Sequence, residues 1–402
     1  MERELRPSSI EVRPSSDVLA TTRKTATTVA YCDMLVGSHR LRLLKDGAQT
    51  FAAMLEAIGR ARSTICLETY ILRDDSVGQA FAKALRERAL AGVEVNLLFD
   101  AWGSSVSDEY VSGLEDAGVR VVEFRPVRHA IQNLRLVRQL TRRNHRKSLI
   151  IDSSIAFTGG INLTTDYLSR EEGGEFWRDT HLELEGPAAA DLQYFFLRTW
   201  RKSKGAPLDE ARYRVGGQRP DPLVRVITSD MHKGRASIRD AYRTAIRKAQ
   251  KTIYITNAYF LPQLSFVSLL RDAARRGVDV RIMVPGTTDV TAVKYATRSI
   301  YNRLLKAGAH MYEWHGRVMH AKTAIIDGHW CTVGSSNLDM QSLVFNLEVN
   351  AIMEHTAFAR SMEAMFFEDL DFCEEVTLDT QEKRAWWERL ASWVAYLFRA
   401  WL

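Results

Sequence analysis

The sequence predicts an α/β protein made of two duplicated domains, each a β-sheet flanked by helices. Three observations lead to this prediction. One motif occurs twice, about half a chain apart, and the order of helices and strands around it also repeats. In addition, 46% of the 402 residues are hydrophobic, which is enough for two domain-sized cores. We therefore expect two similar domains related by a pseudo-twofold axis, with one active site between them.

The repeated elements are amphipathic helices, with apolar residues three to four apart, and short β-branched strands. In the first half they are a helix over 50–61, a strand over 64–67, a helix over 77–91 and a strand over 92–98. In the second half they are a helix over 238–249, a strand over 252–255, a helix over 266–276 and a strand over 277–283. Alternation of helices and strands in this order is typical of α/β domains.

The boundaries of the two domains follow from changes in composition. Residues 1–35 are rich in Ser, Thr, Arg and Pro, which favours a mobile leader over the alternative, a short extension packed on the surface. The first domain is expected over 36–215 and the second over 223–384. Residues 216–222, rich in Gly and Pro, are the predicted linker.

The repeated motif contains His, Lys, Asp, Gly and Asn at identical spacings. Its members are His145, Lys147, Asp152, Gly159 and Asn162 in the first half, and His320, Lys322, Asp327, Gly334 and Asn337 in the second. Residues two apart on a strand face the same side, so each imidazole should lie beside an ammonium group. Lysine is not a zinc ligand, so no metal site is predicted. A phosphate site fits better, because Lys and Asn donate to phosphoryl oxygens and histidine can act as nucleophile or proton carrier.

These motifs resemble the phospholipase D superfamily, in which paired motifs from two halves form one active site. The runs 144–147, 156–162 and 334–337 are most similar to bacterial cardiolipin synthases, in a short form without N-terminal transmembrane helices. The resemblance implies that His145 is the nucleophile, forming a phosphohistidine, and that His320 is the general acid and base. It also implies a structural role for Asp152 and Asp327. No cofactor is expected.

Two carboxylates are candidates for orienting the histidines. Asp179 and Glu348 each lie on a strand-like run, and they follow the histidine of their own half by 34 and 28 residues. Such an acceptor fixes the tautomer of a catalytic histidine. The alternative is that both are ordinary salt-bridged acids. Glu68 and Asn257, at the ends of equivalent strands, are candidates for contact with a substrate head group.

The C-terminal residues 385–402 predict an amphipathic helix that associates with a membrane, and they include four of the nine tryptophans. One face of the helix would carry Trp387, Leu390, Val394, Leu397, Phe398 and Trp401, and the opposite face Arg389, Ser392, Tyr396 and Arg399. Insertion into the lipid interface is expected. The alternative is that the apolar face packs on the protein.

A second segment, 125–147, is basic and directly precedes the first motif. It contains Arg125, Arg128, Arg135, Arg138, Arg142, Arg143, Arg146 and Lys147, and no acid. A solvated basic face is one explanation. Its position favours contact with anionic head groups at the mouth of the site.

The remaining properties agree with an enzyme at an anionic membrane surface. The formal net charge is +6, the four cysteines have no disulfide-framework spacing, and no apolar stretch approaches the ~20 residues that span a bilayer. The N-terminus lacks the apolar region of a signal peptide. We expect a peripheral protein on the cytoplasmic side of a bacterial cell membrane.

The resemblance implies transfer of a phosphatidyl group from one phosphatidylglycerol to another, with release of glycerol. Phosphatidylethanolamine is a second candidate substrate, and nucleic acid is not expected as a partner. Three alternatives remain from the sequence. They are a phospholipase D or transphosphatidylase with another donor or acceptor, a nuclease of the same superfamily, and a non-enzymatic membrane-binding protein.

Overall fold

Each half of the chain forms one eight-stranded mixed sheet in the computed structural model, which describes residues 31–126, 142–213, 221–229, 237–288 and 290–397. The first sheet contains β1 (Cys32–Val36), β2 (His39–Lys45), β3 (Thr64–Thr69), β4 (Glu94–Asp100), β5 (Arg120–Phe124), β6 (Ser148–Ile151), β7 (Ile155–Gly159) and β8 (Thr180–Glu185). The second contains β9 (Val224–Thr228), β10 (Thr252–Asn257), β11 (Asp279–Pro285), β12 (His310–Trp314), β13 (Lys322–Ile326), β14 (Trp330–Gly334), β15 (Val349–Glu354) and β16 (Cys373–Val376).

The two sheets repeat the same strand order over seven strands. The order is β5-β4-β3-β6-β7-β8-β2 in the first sheet and β12-β11-β10-β13-β14-β15-β9 in the second. In both, the central strand pairs in parallel with one neighbour and antiparallel with the strand between the motif histidine and the motif aspartate. Only the outermost strands differ, β1 in one sheet and β16 in the other. The duplicated architecture predicted from the sequence is confirmed.

Four helices recur in equivalent positions around each sheet. They are α1 (Asp46–Arg60), α2 (Ser76–Leu90), α3 (Asp108–Glu115) and α4 (Ala188–Lys202) in the first half, and α5 (Ile238–Lys248), α6 (Leu264–Arg275), α7 (Thr291–Leu305) and α8 (Thr356–Leu370) in the second. Two further helices, α9 (Leu378–Glu382) and α10 (Trp386–Leu397), follow the second sheet. The sequence placed the start of the first helix at residue 50, whereas α1 begins at Asp46.

Three large hydrophobic cores hold the layers of the described residues together. One lies under the outer helices of each half, and a third joins the inner faces of both sheets with α4 and α8. The central strands β3 and β10 are almost entirely buried because helices and the other sheet cover both of their faces. The shared inner core brings the two histidine motifs to one interface.

Some predicted domain boundaries need correction or lie outside the described residues. Strand β1 begins at Cys32, so the first domain starts earlier than the predicted end of the leader at residue 35. Residues 1–30 and 216–220 lie outside the described residues, so the rest of the leader and most of the linker stay predictions. Among the described residues, no helix is both long and apolar enough to cross a bilayer.

The C-terminal helix α10 packs on α7 through the face that the sequence predicted to be polar. Ser392 is buried, accepts a hydrogen bond from Arg384 Nη2 at 3.1 Å, and lies on the same face as Tyr396, which packs against the outer core of the second half. The apolar face points outward. Its exposed side chains are Trp386, Trp387, Leu390, Trp393, Val394 and Leu397. The helix therefore docks on the protein without covering its apolar face, and residues 398–402 lie outside the described part of the chain.

Candidate active site

The two histidine motifs meet through exchanged backbone hydrogen bonds across the interface between the halves. The His145 amide donates to the Leu347 carbonyl at 3.0 Å, and the His320 amide donates to the Arg178 carbonyl at 2.8 Å. Each of these carbonyls immediately precedes one of the two candidate carboxylates. The backbone pairing therefore places each histidine beside the carboxylate of the other half.

The side chains complete this crossed arrangement. His320 Nδ1 lies 2.7 Å from Asp179 Oδ2, and His145 Nδ1 lies 2.9 Å from Glu348 Oε1. The sequence had associated each carboxylate with the histidine of its own half, and that pairing is wrong. The sequence suggested this pairing because each carboxylate follows a histidine within its own half. The short contacts form instead between the halves, when the two sheets face one another.

The surroundings of the two carboxylates differ. Glu348 accepts a hydrogen bond from Ser335 Oγ, and burial raises its pKa to about 8. Burial also opposes ionisation of Asp179, but the hydrogen bond and charge of His320 hold the pKa of that carboxyl below its usual value. Asp179 is therefore the ionised member of the pair, whereas Glu348 is largely protonated at neutral pH.

The two histidines are both buried, and burial disfavours the charged form of each. Burial lowers the pKa of His145 well below its usual value, and Lys147, Lys322 and His320 lower it further. Burial and Lys322 also lower the pKa of His320, but the hydrogen bond to Asp179 opposes that shift. His145 is thus held as a neutral imidazole, and His320 is the one with an anionic neighbour to stabilise an imidazolium.

The two lysines lie beside their histidines as the spacing predicted. Lys147 Nζ donates to the His145 carbonyl at 2.8 Å, and Lys322 Nζ donates to the His320 carbonyl. Burial lowers the pKa of Lys147 to about 7. The two lysines favour an anionic ligand, because a phosphate group would stabilise the ammonium form of Lys147 and offset its repulsion from Lys322.

The two motif aspartates lie at the opposite ends of their strands from the histidines, and they bind backbone amides. Asp152 accepts from the amides of Arg62, Ser63 and Thr64 at 2.7–2.9 Å. Asp327 accepts from the amides of residues 250–252 in the same way. Both aspartates have positive φ, 48° and 54°. These contacts favour the structural role that the resemblance implied.

The two motif asparagines differ in what they bind. Asn162 uses both ends of its amide within the protein, accepting from the Ile71 amide at 3.1 Å and donating to the Tyr167 hydroxyl at 3.3 Å. That hydroxyl lies 3.0 Å from His320 Nδ1. Asn337 is buried, and its Oδ1 has no hydrogen-bond partner among the described residues. Asn162 is therefore placed to support His320, whereas Asn337 could bind a phosphoryl oxygen only through its Nδ2, because its Oδ1 is an acceptor.

Glu68 and Asn257 occupy equivalent, fully buried positions at the ends of the central strands. Glu68 accepts a hydrogen bond from Asn144 Nδ2 at 3.1 Å, and Asn257 Oδ1 accepts from the Leu338 amide at 3.0 Å. Both side chains thus hold segments next to the motifs. The motif lysines are just as buried, so the head-group contact of Glu68 and Asn257 stays a prediction.

Aromatic residues around the histidines were missed in the sequence. Tyr70 lies two residues after Glu68 and Tyr259 two residues after Asn257, so the same position carries Tyr in both halves. The Tyr70 ring lies 4.7 Å from the His145 ring, and the Tyr259 ring lies 6.4 Å from that of His320. Because residues two apart share a face of a strand, this repeat was a usable signal. Trp177, 5.6 Å from the His320 ring, has no such repeat.

The basic segment before the first motif is only partly described, because residues 127–141 lie outside the described part. Arg143 is buried and forms an ion pair with Asp100 at 2.6 Å. Arg146 is buried as well and donates to Thr199 Oγ1 at 3.0 Å. Neither side chain is a solvated contact for head groups at the site mouth, so that part of the prediction is wrong.

The arrangement provides two buried imidazoles, each with a carboxylate at Nδ1, so Nε2 of each can face a substrate. In the described residues, no group of three or more His, Cys, Asp or Glu side chains has the geometry to hold a metal ion. Imidazole, ammonium and amide groups together can bind a phosphodiester, attack its phosphorus and move the proton of an alcohol.

Comparison with known proteins agrees with this geometry. A family model described as cardiolipin synthase, PLD-like domain, matches residues 54–196 and 242–370. A cardiolipin synthase of Halalkalibacterium halodurans is 35% identical over 357 residues, which cover 88% of this chain and 70% of that protein. A cardiolipin synthase of Geobacillus sp. is 37% identical over 350 residues, covering 85% of this chain and 68% of that protein.

A solved structure shares the fold. Phosphatidylserine synthase of Haemophilus influenzae superposes with a TM-score of 0.70 and 12% sequence identity, covering 95% of this chain and 99% of that one. The paired sheets and paired histidine motifs define a phospholipase D-like protein. Within that class, the chain belongs to the cardiolipin synthase family.

Proposed function

We propose that the protein transfers a phosphatidyl group from one phosphatidylglycerol to a hydroxyl of another, forming cardiolipin and releasing glycerol. The observation that carries this proposal is the crossed pair of buried histidines, each with its Nδ1 beside a carboxylate of the other half. The similarity to cardiolipin synthases supports the choice of lipid substrates.

In the first step, Nε2 of neutral His145 attacks phosphorus. The bond from phosphorus to the glycerol oxygen breaks, and protonated His320 gives its Nε2 proton to that oxygen, so free glycerol leaves. The ionised Asp179 stabilises the imidazolium form of His320. The bound phosphodiester also favours that form, because its negative charge offsets the two lysines.

In the second step, a glycerol hydroxyl of another phosphatidylglycerol attacks the phosphohistidine. His320 takes the hydroxyl proton, the bond from phosphorus to nitrogen breaks, and His145 returns to its neutral form. Lys147, Lys322 and Asn337 stabilise the charge on the phosphoryl oxygens through both steps.

The product of the reaction tests this function. Vesicles of phosphatidylglycerol incubated with the protein should yield cardiolipin and glycerol, with phosphatidic acid as a minor product, measured by lipid mass spectrometry. Excess glycerol should reverse the reaction, because both directions exchange one phosphodiester for another. The matched control is the variant with both His145→Ala and His320→Ala.

Two outcomes would contradict the transfer reaction. Phosphatidic acid as the main product, without cardiolipin, would identify a hydrolase. If cardiolipin forms only when phosphatidylethanolamine is added, then either the donor or the acceptor is not phosphatidylglycerol. A second arm with DNA as substrate separates the nuclease alternative, because DNA cleavage without lipid would contradict a lipid-specific enzyme.

We further propose that the protein binds the cytoplasmic face of the cell membrane through α10. Six apolar side chains are exposed on this one helix, whereas exposed apolar residues on protein surfaces are usually scattered singly. The helix also lies near the active site. Ala395 packs against the small cluster of Leu261 and Val293, and so does Tyr259, whose ring contacts His320. A helix at this position would bring lipid to the His320 side of the site.

Substitutions on the exposed face of α10 test the membrane contact, because they leave unchanged the face of α10 that packs on α7. Trp387→Ser together with Trp393→Ser should weaken binding to phosphatidylglycerol vesicles by about tenfold or more, because interfacial burial of aromatic side chains is lost. The matched control is Leu35→Ser with Leu90→Ser, which removes two apolar side chains elsewhere that are even more exposed. Equal cosedimentation with vesicles for all variants would contradict the proposal.

A further inference from the structure

A large cavity lies next to the first catalytic motif but does not contain its histidine or lysine. It has a volume of 790 Å³, and its walls come from β5, α4, the turn of π-helix Gln341–Phe345 and the residues around β9 and α5. None of the motif residues His145, Lys147, His320 and Lys322 is among its described lining residues. The function proposed above therefore leaves this cavity without a role.

The described lining of the cavity is strongly basic. Glu123 is its one acid. Its basic residues include Arg142, Arg146, Arg198, Lys202, Lys204 and Arg239. A basic residue in the last turn of a helix is stabilised by the negative end of the helix dipole. This effect explains Lys202 in α4 but none of the other cations in the lining. The others lie on or next to α4, on α5 and in the segment before β6, and a concave surface lined mostly by cations attracts anions.

Arg146 connects this cavity to the catalytic segment. It lies between His145 and Lys147 in sequence, and its side chain extends to α4, where Nη1 donates to Thr199 Oγ1 at 3.0 Å and to the Phe195 carbonyl at 3.3 Å. Its Nε donates to the carbonyl of Glu348 at 3.4 Å. The cavity and the active site therefore border the same short stretch of backbone.

The cavity also has an apolar wall. Leu343, Val344, Phe345 and Leu347 line it, and Val344 is 38% exposed. A site for a small, fully hydrated anion needs no such wall. An anionic phospholipid matches both parts, because its phosphate can accept hydrogen bonds from arginine guanidinium groups and its acyl chains can lie on the apolar residues.

We propose that this cavity is a second, non-catalytic site that binds the phosphate of an anionic phospholipid. Binding here requires no turnover, so the site does not depend on the transfer reaction proposed above. A free phosphate ion shares the same chemistry at the basic wall, and only the lipid uses the apolar wall as well. The two sources are therefore separable by comparing their affinities.

Equilibrium binding of a short-chain phosphatidylglycerol, kept below its micelle-forming concentration, tests the site. The protein carries His145→Ala and His320→Ala, so no lipid is consumed, and calorimetric titration counts the bound molecules. We expect two sites. Adding Arg198→Gln, Lys202→Gln and Arg239→Gln should weaken one of them by at least about tenfold and leave the other unchanged.

A matched variant controls for the loss of overall charge. Arg247→Gln, Lys248→Gln and Arg275→Gln remove three exposed cations from α5 and α6, outside the cavity lining, and should leave both sites intact. One site in the parent protein, or equal losses in the two triple variants, would overturn the proposal. Melting temperatures of all variants check that each is folded.

Titration with inorganic phosphate separates the lipid from a soluble anion. We expect the cavity to bind phosphate at least about tenfold more weakly than the short-chain lipid, because the apolar wall contributes nothing to phosphate. Equal affinities would overturn the assignment to a phospholipid. If the lipid assay of the proposed function fails while two sites are counted, the reaction is wrong and the second site stands.

Discussion

His145 and His320 occupy equivalent positions in two similar sheets, yet the carboxylates beside them are unlike. Asp179 is held ionised by His320, and the Tyr167 hydroxyl lies 3.0 Å from the same Nδ1. Glu348 has a pKa raised to about 8 by burial. The duplicated backbone thus places two chemically different imidazoles in one site, as a reaction with one nucleophile and one proton carrier requires.

A single pair of equivalent residues gives the two carboxylates different neighbours. The position after the motif glycine is Gly160 in the first half and Ser335 in the second. A Cβ on Gly160 would lie 2.2 Å from Asp179 Oδ1, so the absence of a side chain leaves room for that carboxylate. Ser335 instead donates a hydrogen bond to Glu348. The Ser335 hydrogen bond lowers the pKa of Glu348, so burial alone accounts for the raised value, whereas Asp179 is kept ionised by the hydrogen bond and charge of His320.

The largest expected effect separates the roles of the two histidines. His145→Ala and His320→Ala should each lower lipid transfer by at least about a thousandfold, and the double variant should be no worse. With phosphatidyl-p-nitrophenol, whose leaving group needs no proton, His320→Ala should still release one equivalent of p-nitrophenol in a burst, measured by absorbance. His145→Ala should give no burst, and the reverse result would exchange the assigned roles.

The carboxylates come next in expected size. Asp179→Asn should lower turnover about 100- to 1000-fold, because an ionised partner of His320 is lost. Glu348→Gln should lower it about tenfold, because the pKa of Glu348 already favours its neutral form. Steady-state rates at neutral pH check both values. Equal losses would show that the two carboxylates carry the same charge.

Glu348 also affects stability, with a sign that follows from its pKa. The pKa is about 8 in the folded protein and near 4.5 in the unfolded chain, so the free energy of unfolding declines as pH rises from about 4.5 to about 8. Glu348→Gln removes this contribution. Its stability relative to the wild type should therefore increase between pH 5 and pH 8, measured by denaturant unfolding, and a constant difference would argue against the raised pKa.

Exchanging the small residues should give an intermediate effect. Gly160→Ser displaces Asp179 and should lower turnover about 100-fold, whereas Ser335→Gly removes one hydrogen bond and should cost no more than about tenfold. Turnover per folded molecule, with folding checked by circular dichroism, measures both. A larger loss for Ser335→Gly would contradict the proposed order of the two halves.

The smallest effect on turnover is expected for the two motif aspartates, which make the same contacts in both halves. Asp152→Asn and Asp327→Asn each weaken the hydrogen bonds to three backbone amides, so each should lower the free energy of unfolding by about 1–3 kcal/mol. Turnover of the folded protein should fall less than about twofold. A loss of activity as large as that of the histidine variants would assign these aspartates a role in the reaction.

Much of the architecture followed from the sequence because it depends on local patterns. Periodicity located the repeated helices and strands, and the repeated spacing identified the histidine motifs, since both are properties of neighbouring residues. Ends of elements were less certain. Helix α1 starts at Asp46, four residues before the predicted start, because Asp46 is fixed by the distant Asp179, whose amide donates to its side chain at 3.0 Å.

By itself, the sequence determined that this chain has two α/β halves, that each supplies a His-Lys motif, and that its last helix has one apolar face. The tertiary structure decided which carboxylate serves which histidine, because only the facing of the two sheets brings His145 to Glu348 and His320 to Asp179. It also decided that α10 packs by its polar face. These outcomes depend on contacts between residues far apart in sequence, and so do the pKa differences, because burial and neighbouring charges arise only once both halves are folded together.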